Sequence, residues 1–283
     1  MRDAVFTTSL RATAGLSAAL VVLIGVFLLM ASWPALQQVG VLRWLTDDSW
    51  QPLSGQFLLW PMIAGSLLAA LGAVLLALPL GLCSAVFCNF YAAPAVARPW
   101  RRTVELMAGI PSVVYGFWGL VVLVPWVRAV APPGPSLLAA TLVLALMILP
   151  TLAVSADAAL AAVSGSLRQA GQALGLGRVS QITRIALPAA RAGIVTGVLL
   201  SVARALGETM AVLMVAGNVV QVPSSVFEPV RVLTANIALE MAYAVGHHRS
   251  ALFVSGLVLF ALTVLLVLLA EWISRGRRPH VPV

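Results

Sequence analysis

Residues 251–270 read ALFVSGLVLFALTVLLVLLA, twenty residues without a charge. At ~1.5 Å per residue, a helix of that length spans ~30 Å, the thickness of the hydrocarbon core of a bilayer. The run stops at Glu271 and is followed by the basic tail Arg275, Arg277 and Arg278. Five comparable apolar runs precede it, at 12–31, 62–91, 106–127, 136–156 and 189–217. The pattern predicts an all-α membrane protein of six transmembrane helices forming one transmembrane domain over 1–283.

Composition agrees with lipid as the solvent. Of the 283 residues 61% are apolar and 9% charged, with a mean hydropathy of +1.03, against ~45–50% and ~25% in soluble domains. A soluble fold of this size buries only ~75% of its chain surface, too little to hide so much apolar area. All 17 basic residues are arginine. Without lysine the chain carries neither a P-loop ATPase core nor a Schiff-base site. The net charge of +8 gathers at the ends of apolar runs rather than on one face, so nucleic acid is not the expected partner.

The arginines also orient the spans. With the N-terminus in the cytoplasm, twelve lie on inside segments and four (Arg43, Arg128, Arg231, Arg249) outside, with Arg204 inside a span. The positive-inside rule then places both termini in the cytoplasm. Run 12–31 is longer than the core of a cleaved signal peptide and reads as a retained anchor. Pro79, Pro111 and Pro150 mark kinks within spans, and Gly193 and Gly197 form a GxxxG pair suited to close helix packing. External segments are expected at 32–60 and 218–250, the latter with an amphipathic surface helix over 230–244. Cys83 and Cys88 are too far apart on a helix for a disulfide, and His247, His248 and His280 lack metal spacing. No metal is expected.

The segment 155–188 between spans four and five is expected on the cytoplasmic side. Residues 164–174 predict a short helix with Leu167, Ala170 and Leu174 on one side. Gly175 and Gly177 break it, and Ser180 is placed to cap a second helix running to Leu187 and Pro188. In span five, Arg204 and Glu208 are one turn apart and can pair. A charge at membrane depth costs at least ~2.5–3.5 kcal/mol and so points to function. Arginine offers a planar fork of donors that fits phosphate oxygens.

The loop resembles that of ABC-importer permeases, patterned E-A-A, three residues, G, nine residues, I-x-L-P. Gly175, Ile185, Leu187 and Pro188 fall in register, while the leading triplet is Gln169-Ala170-Gly171, without the acidic residue. Residues 108–116, AGIPSVVYG, resemble the third-span signature of the phosphate branch of that family. Residues 204–212, RALGETMAV, continuing to Gly217-Asn218, resemble its PstC-type subunit, as do Trp50-x-Pro52 and Gly65-Ser66.

The resemblance implies a type I permease bundle in an ATP-driven phosphate importer of a bacterial inner membrane. It implies a PstA-type second permease subunit as heterodimer partner, an ATPase dimer and an external phosphate-binding protein. No cofactor is implied on this chain, since ATP and Mg belong to the ATPase. Arg204, Glu208, Thr209, Ser112 and Tyr115 would line the substrate path. Leu167, Gln169, Ala170, Gly171, Leu174, Gly175, Ile185, Leu187 and Pro188 would form the ATPase-coupling loop. Another oxyanion such as sulfate or molybdate is the alternative substrate, and an ATP-independent secondary transporter is a further one. Only span five carries a central charged pair, which argues against an ion relay.

Overall fold

The computed structural model describes residues 2–40 and 42–275; Arg277, Arg278 and His280 lie outside the described residues. In chain order the helices are α1 (Arg2–Val39), α2 (Arg43–Thr46), α3 (Trp60–Val86), α4 (Pro94–Ala108), α5 (Ser112–Trp118), α6 (Val124–Val130) and α7 (Leu137–Ala161). They continue as α8 (Gly165–Ala173), α9 (Arg178–Gln181), α10 (Leu187–Gly207), α11 (Met210–Val215), α12 (Leu233–Glu240) and α13 (Gly246–Arg275). Short π-helical segments extend α3 (Phe87–Tyr91), join α5 to α6 (Gly119–Leu123) and join α9 to α10 (Ile182–Ala186). Six stretches are long and apolar enough to cross a membrane: Phe6–Val39, Trp60–Tyr91, Ser112–Val130, Leu137–Ala161, Arg178–Gly207 and Gly246–Leu269.

The chain forms two compact units, one of Met1–Trp60 with Asn236–Leu262, the other of Pro61–Ala235 with Thr263–Val283. In the first, α1 meets the first half of α13 where bulk on one helix faces a gap on the other. The Phe260 ring lies 3.1 Å from where a Cβ on Gly25 would stand, and the Phe27 and Phe253 rings meet edge to face at 5.7 Å. The loop after α1 is a folded element. Arg43 holds Asp47 through two hydrogen bonds of 3.0 and 3.1 Å and donates to the Gly55 carbonyl. Asp47 accepts the Phe57 amide at 2.9 Å. These contacts frame a two-stranded antiparallel hairpin, β1 (Trp50–Gln51) with β2 (Gln56–Phe57). The carboxylate of Glu240 accepts the Trp50 indole N–H and lies 2.9 Å from His248 Nε2.

In the second unit, α7 is the most buried span. Its N-terminus is satisfied locally: the Ser136 hydroxyl accepts the Ala139 amide, and the amides of Leu137 and Leu138 donate to the carbonyls of Glu228 and Val226. α10 lies along α7 through small residues. A Cβ on Gly193 would stand 2.7 Å from the Ala159 Cβ, and one on Gly197 would stand 2.5 Å from the Ser155 Cβ. The GxxxG pair is thus a contact face within this chain.

Three expected helix boundaries differ from the structure. The third span starts at Ser112, because Gly109-Ile110-Pro111 ends α4: the residue before a proline is pushed out of the helical region and Pro111 is extended. Residues 106–108 belong to α4, an amphipathic helix carrying Arg98, Arg101 and Arg102. The fifth span is not one helix to 217, since α10 ends at Gly207 and Glu208 is extended. The expected surface helix over 230–244 is shorter, as α12, and is deeply buried at Leu233, Ala235 and Asn236.

Candidate functional site

The break between α10 and α11 is where the charged side chains of span five sit. Gly207 ends α10, and Glu208 then turns its carboxylate forward: Oε1 accepts the Ala211 amide at 3.0 Å, satisfying an orphan donor in the first turn of α11. The Glu208 carbonyl accepts the Thr234 hydroxyl at 2.8 Å. Thr209 Oγ1 donates weakly to the Gly207 carbonyl at 3.4 Å. No ion pair joins Arg204 to Glu208, so the one-turn pairing expected of a continuous helix does not form. The break spends the carboxylate on capping.

Arg204 remains in the last turn of α10, exposed on this chain. A cation at a helix C-terminus interacts favourably with the carbonyls gathered there. Tyr115 lies within electrostatic range of the Arg204 guanidinium and donates its hydroxyl proton to the Met107 carbonyl at 3.0 Å. α5 comes this close to α11 because Gly116 has no side chain: a Cβ there would stand 2.7 Å from the Ala211 Cα. Ser112, half-buried, opens α5 behind Pro111. Arg204, Glu208, Thr209 and Tyr115 therefore cluster around one helix break, with Ser112 a turn away from Tyr115.

The second site is the loop after α7. Ser164 precedes α8, whose C-terminus closes as a Schellman motif: the Leu176 amide donates to the Gly171 carbonyl at 3.1 Å and the Gly175 amide to the Gln172 carbonyl at 2.9 Å. Gly175 takes the left-handed conformation this requires, φ +67°. Gly171 is buried against Ile185, whose Cδ1 lies 2.5 Å from where a Gly171 Cβ would be. Gln181 ties the turn by donating to the Leu176 carbonyl. Leu187 packs on a buried cluster of Ala85, Ala156, Leu160, Val163, Ala186 and Ala190, and Pro188 sits in the first turn of α10. The side of α8 bearing Leu167, Gln169, Ala170 and Leu174 is left open, Leu174 being 79% exposed. Ser180 lies inside α9 rather than capping it, because Gly177 already supplies the extended residue at the helix start.

A third polar cluster escaped the sequence reading. Arg101 on α4 grips Asp157 on α7 with two hydrogen bonds of 2.8 and 2.9 Å, and Asn89 donates to the same carboxylate at 2.7 Å. The Asp157 hydrogen bonds push the Arg101 guanidinium further above its ordinary range. No sequence signal pointed to it: Asp157 lies one residue past the apolar run 136–156, and its partners come from two other helical segments.

Six apolar spans, with a charged helix break and a structured knob between the fourth and fifth, define a multi-pass membrane protein. The chain belongs to the family of binding-protein-dependent transport system inner membrane components, which it matches over residues 77–279. It is 34% identical to the phosphate transport system permease protein PstC of Mesorhizobium japonicum, over 96% of this chain and 90% of that protein. It is 38% identical to the probable ABC transporter permease protein YqgH of Bacillus subtilis, over 85% of this chain and 80% of that one. Among solved structures, it resembles a chain of an inward-facing MetNI methionine ABC transporter, with a TM-score of 0.59 and 19% identity, over 78% of this chain and 94% of that one. A bacterial alginate ABC transporter bound to its periplasmic protein gives a TM-score of 0.60 and 17% identity, over 95% and 96%. These two show a shared fold.

Proposed function

We propose that this chain is the PstC-type permease subunit of an ATP-driven phosphate importer. The observation that carries the reading is likeness to a phosphate permease along nearly the whole chain, 34% identity over 96% of it. The structure supports it with an exposed arginine at a helix break whose neighbouring carboxylate is occupied in capping. Arg204 would meet phosphate oxygens with its fork of donors while staying charged at any working pH. Tyr115, Ser112 and Thr209 would line the same path.

The open side of α8 would seat on an ATPase dimer. A PstA-type subunit would complete the permease, and a phosphate-loaded binding protein would dock outside. Hydrolysis, with its ATP and Mg, would belong to the ATPase, and this chain would hold no cofactor. Both termini would be cytoplasmic. Alternating access would follow from differential binding of ligand and nucleotide to inward and outward states.

The test is co-purification of the permease with an ATPase, followed by ATP hydrolysis with and without phosphate-loaded binding protein and uptake of labelled phosphate. We expect stimulated hydrolysis, and uptake that excess sulfate or molybdate does not compete away. Effective competition by either would reassign the substrate, and no stable ATPase partner would overturn the reading. Arg204→Gln should leave the complex assembled and lower phosphate uptake at least 10-fold, about 1.4 kcal/mol. Unchanged uptake would restrict Arg204 to a structural role.

A further inference from the structure

The knob meets the spanning helices at a joint built on Arg168. Its Nη2 donates to the Leu160 carbonyl in the last turn of α7, which also accepts the Val163 amide, and its guanidinium carbon stands over the Phe90 ring at 5.0 Å. Its Nε is buried and has no hydrogen-bond partner. The arginine is therefore held by a carbonyl on one side and an aromatic face on the other, an arrangement suited to a planar cation.

Phe90 belongs to the π-helical segment Phe87–Tyr91 at the end of α3 and packs on the buried cluster that includes Leu160, Ala186 and Ala190. The residue before it, Asn89, bridges the Ala85 carbonyl and the Asp157 carboxylate, which in turn holds Arg101 of α4. One side chain of α8 thus touches the ends of both α3 and α7, next to the network that ties them to α4.

We propose that Arg168 is a positioning residue that passes displacement of α8 into the spanning helices through Phe90 and the Leu160 carbonyl. The proposal rests on the reading of this chain as an ATP-driven permease. Moving α8 without α3 and α7 would strip the guanidinium from its ring and break its bond to the Leu160 carbonyl, leaving a half-buried cation without either partner, so the three elements move together. π-helical turns are often found at functional sites, and this one places Asn89 and Phe90 against different partners.

The experiment uses the whole complex in proteoliposomes, with assembly, ATP hydrolysis and phosphate uptake measured together. Arg168→Gln and Phe90→Leu should each assemble with the ATPase and retain basal hydrolysis. Each should lower the phosphate imported per ATP hydrolysed by about 5-fold or more, the lower end of site-to-site coupling. Phe90→Tyr should restore it, and the double variant should lose no more than either single one. A purely packing role would lower yield and leave phosphate per ATP unchanged, and that outcome overturns the proposal. Additive losses in the double variant also overturn it. If Arg168→Gln does not assemble, Phe90→Leu and Phe90→Tyr decide, since both keep the arginine and its carbonyl bond. Failure of the phosphate reading would appear instead in the wild-type complex, as hydrolysis unresponsive to phosphate-loaded binding protein.

Discussion

Gly171 stands where the family pattern has alanine, and its surroundings explain what the exchange does. A Cβ there would come within 2.5 Å of the Ile185 Cδ1, the far end of a side chain that can swing aside. Alanine also favours helix over glycine by ~1 kcal/mol. Gly171→Ala should therefore be near neutral, within ~0.5 kcal/mol by thermal unfolding in detergent, the range of an unremarkable substitution. Gly171→Leu should force α8 away from Ile185 and abolish co-purification of the ATPase. At Asp47 the balance is electrostatic. Burial pushes its carboxyl up, but the Arg43 hydrogen bonds and the Phe57 amide outweigh that and hold it below the ordinary 3.8. A depressed folded value means that the stabilisation is complete above about pH 4 and is lost as pH falls through the folded value. Hydrogen exchange at the Phe57 amide should accelerate relative to its intrinsic rate across that acid range, and Asp47→Asn should remove the dependence.

At the scale of elements, the contact between α7 and α10 is set by missing side chains. The atoms facing Gly193 and Gly197 are the Cβ atoms of Ala159 and Ser155, which cannot swing away. Gly197→Val should drive the helices apart and cost ~1–3 kcal/mol, the usual penalty for overpacking, read as lowered thermal stability of the purified chain. The sequence placed this pair but not its partner, since GxxxG names a face without saying what covers it. Spans were legible because twenty uncharged residues have few alternatives in lipid. Their ends were less so, where local chemistry competes with hydropathy. Leu106 to Ala108 are apolar enough to join span three, yet Pro111 assigns them to α4. Hydropathy continues unbroken past Arg204, while the break at Gly207 depends on Glu208 finding the Ala211 amide. The conformation of the loop after α7 was the most readable feature, because Gly175 takes a left-handed turn and Pro188 a first helical turn that few residues suit. The Arg101–Asp157–Asn89 cluster was not readable, because it joins residues from three helices whose adjacency only the fold reveals.

For the whole molecule, the arginine count makes a claim about the two sides of the membrane that chemistry can check. The charged residues favour the cytoplasm for the segments bearing Arg98, Arg101, Arg102, Arg168, Arg178 and Arg184, because translocating them is opposed by the rule that sets topology. Two exposed leucines sit on segments assigned to opposite sides: Leu53, 94% exposed in the hairpin after α1, and Leu174, 79% exposed at the end of α8. The native thiols, Cys83 and Cys88, are free and lie within α3 and its π-helical extension, so alanine at both gives a silent background. In spheroplasts, a membrane-impermeant maleimide should label Leu53→Cys and leave Leu174→Cys unlabelled until the membrane is opened. The reverse pattern would invert the molecule and place the α8 knob outside, where no ATPase could meet it. Labelling of both without opening would mean that an odd number of the helices between them fails to cross.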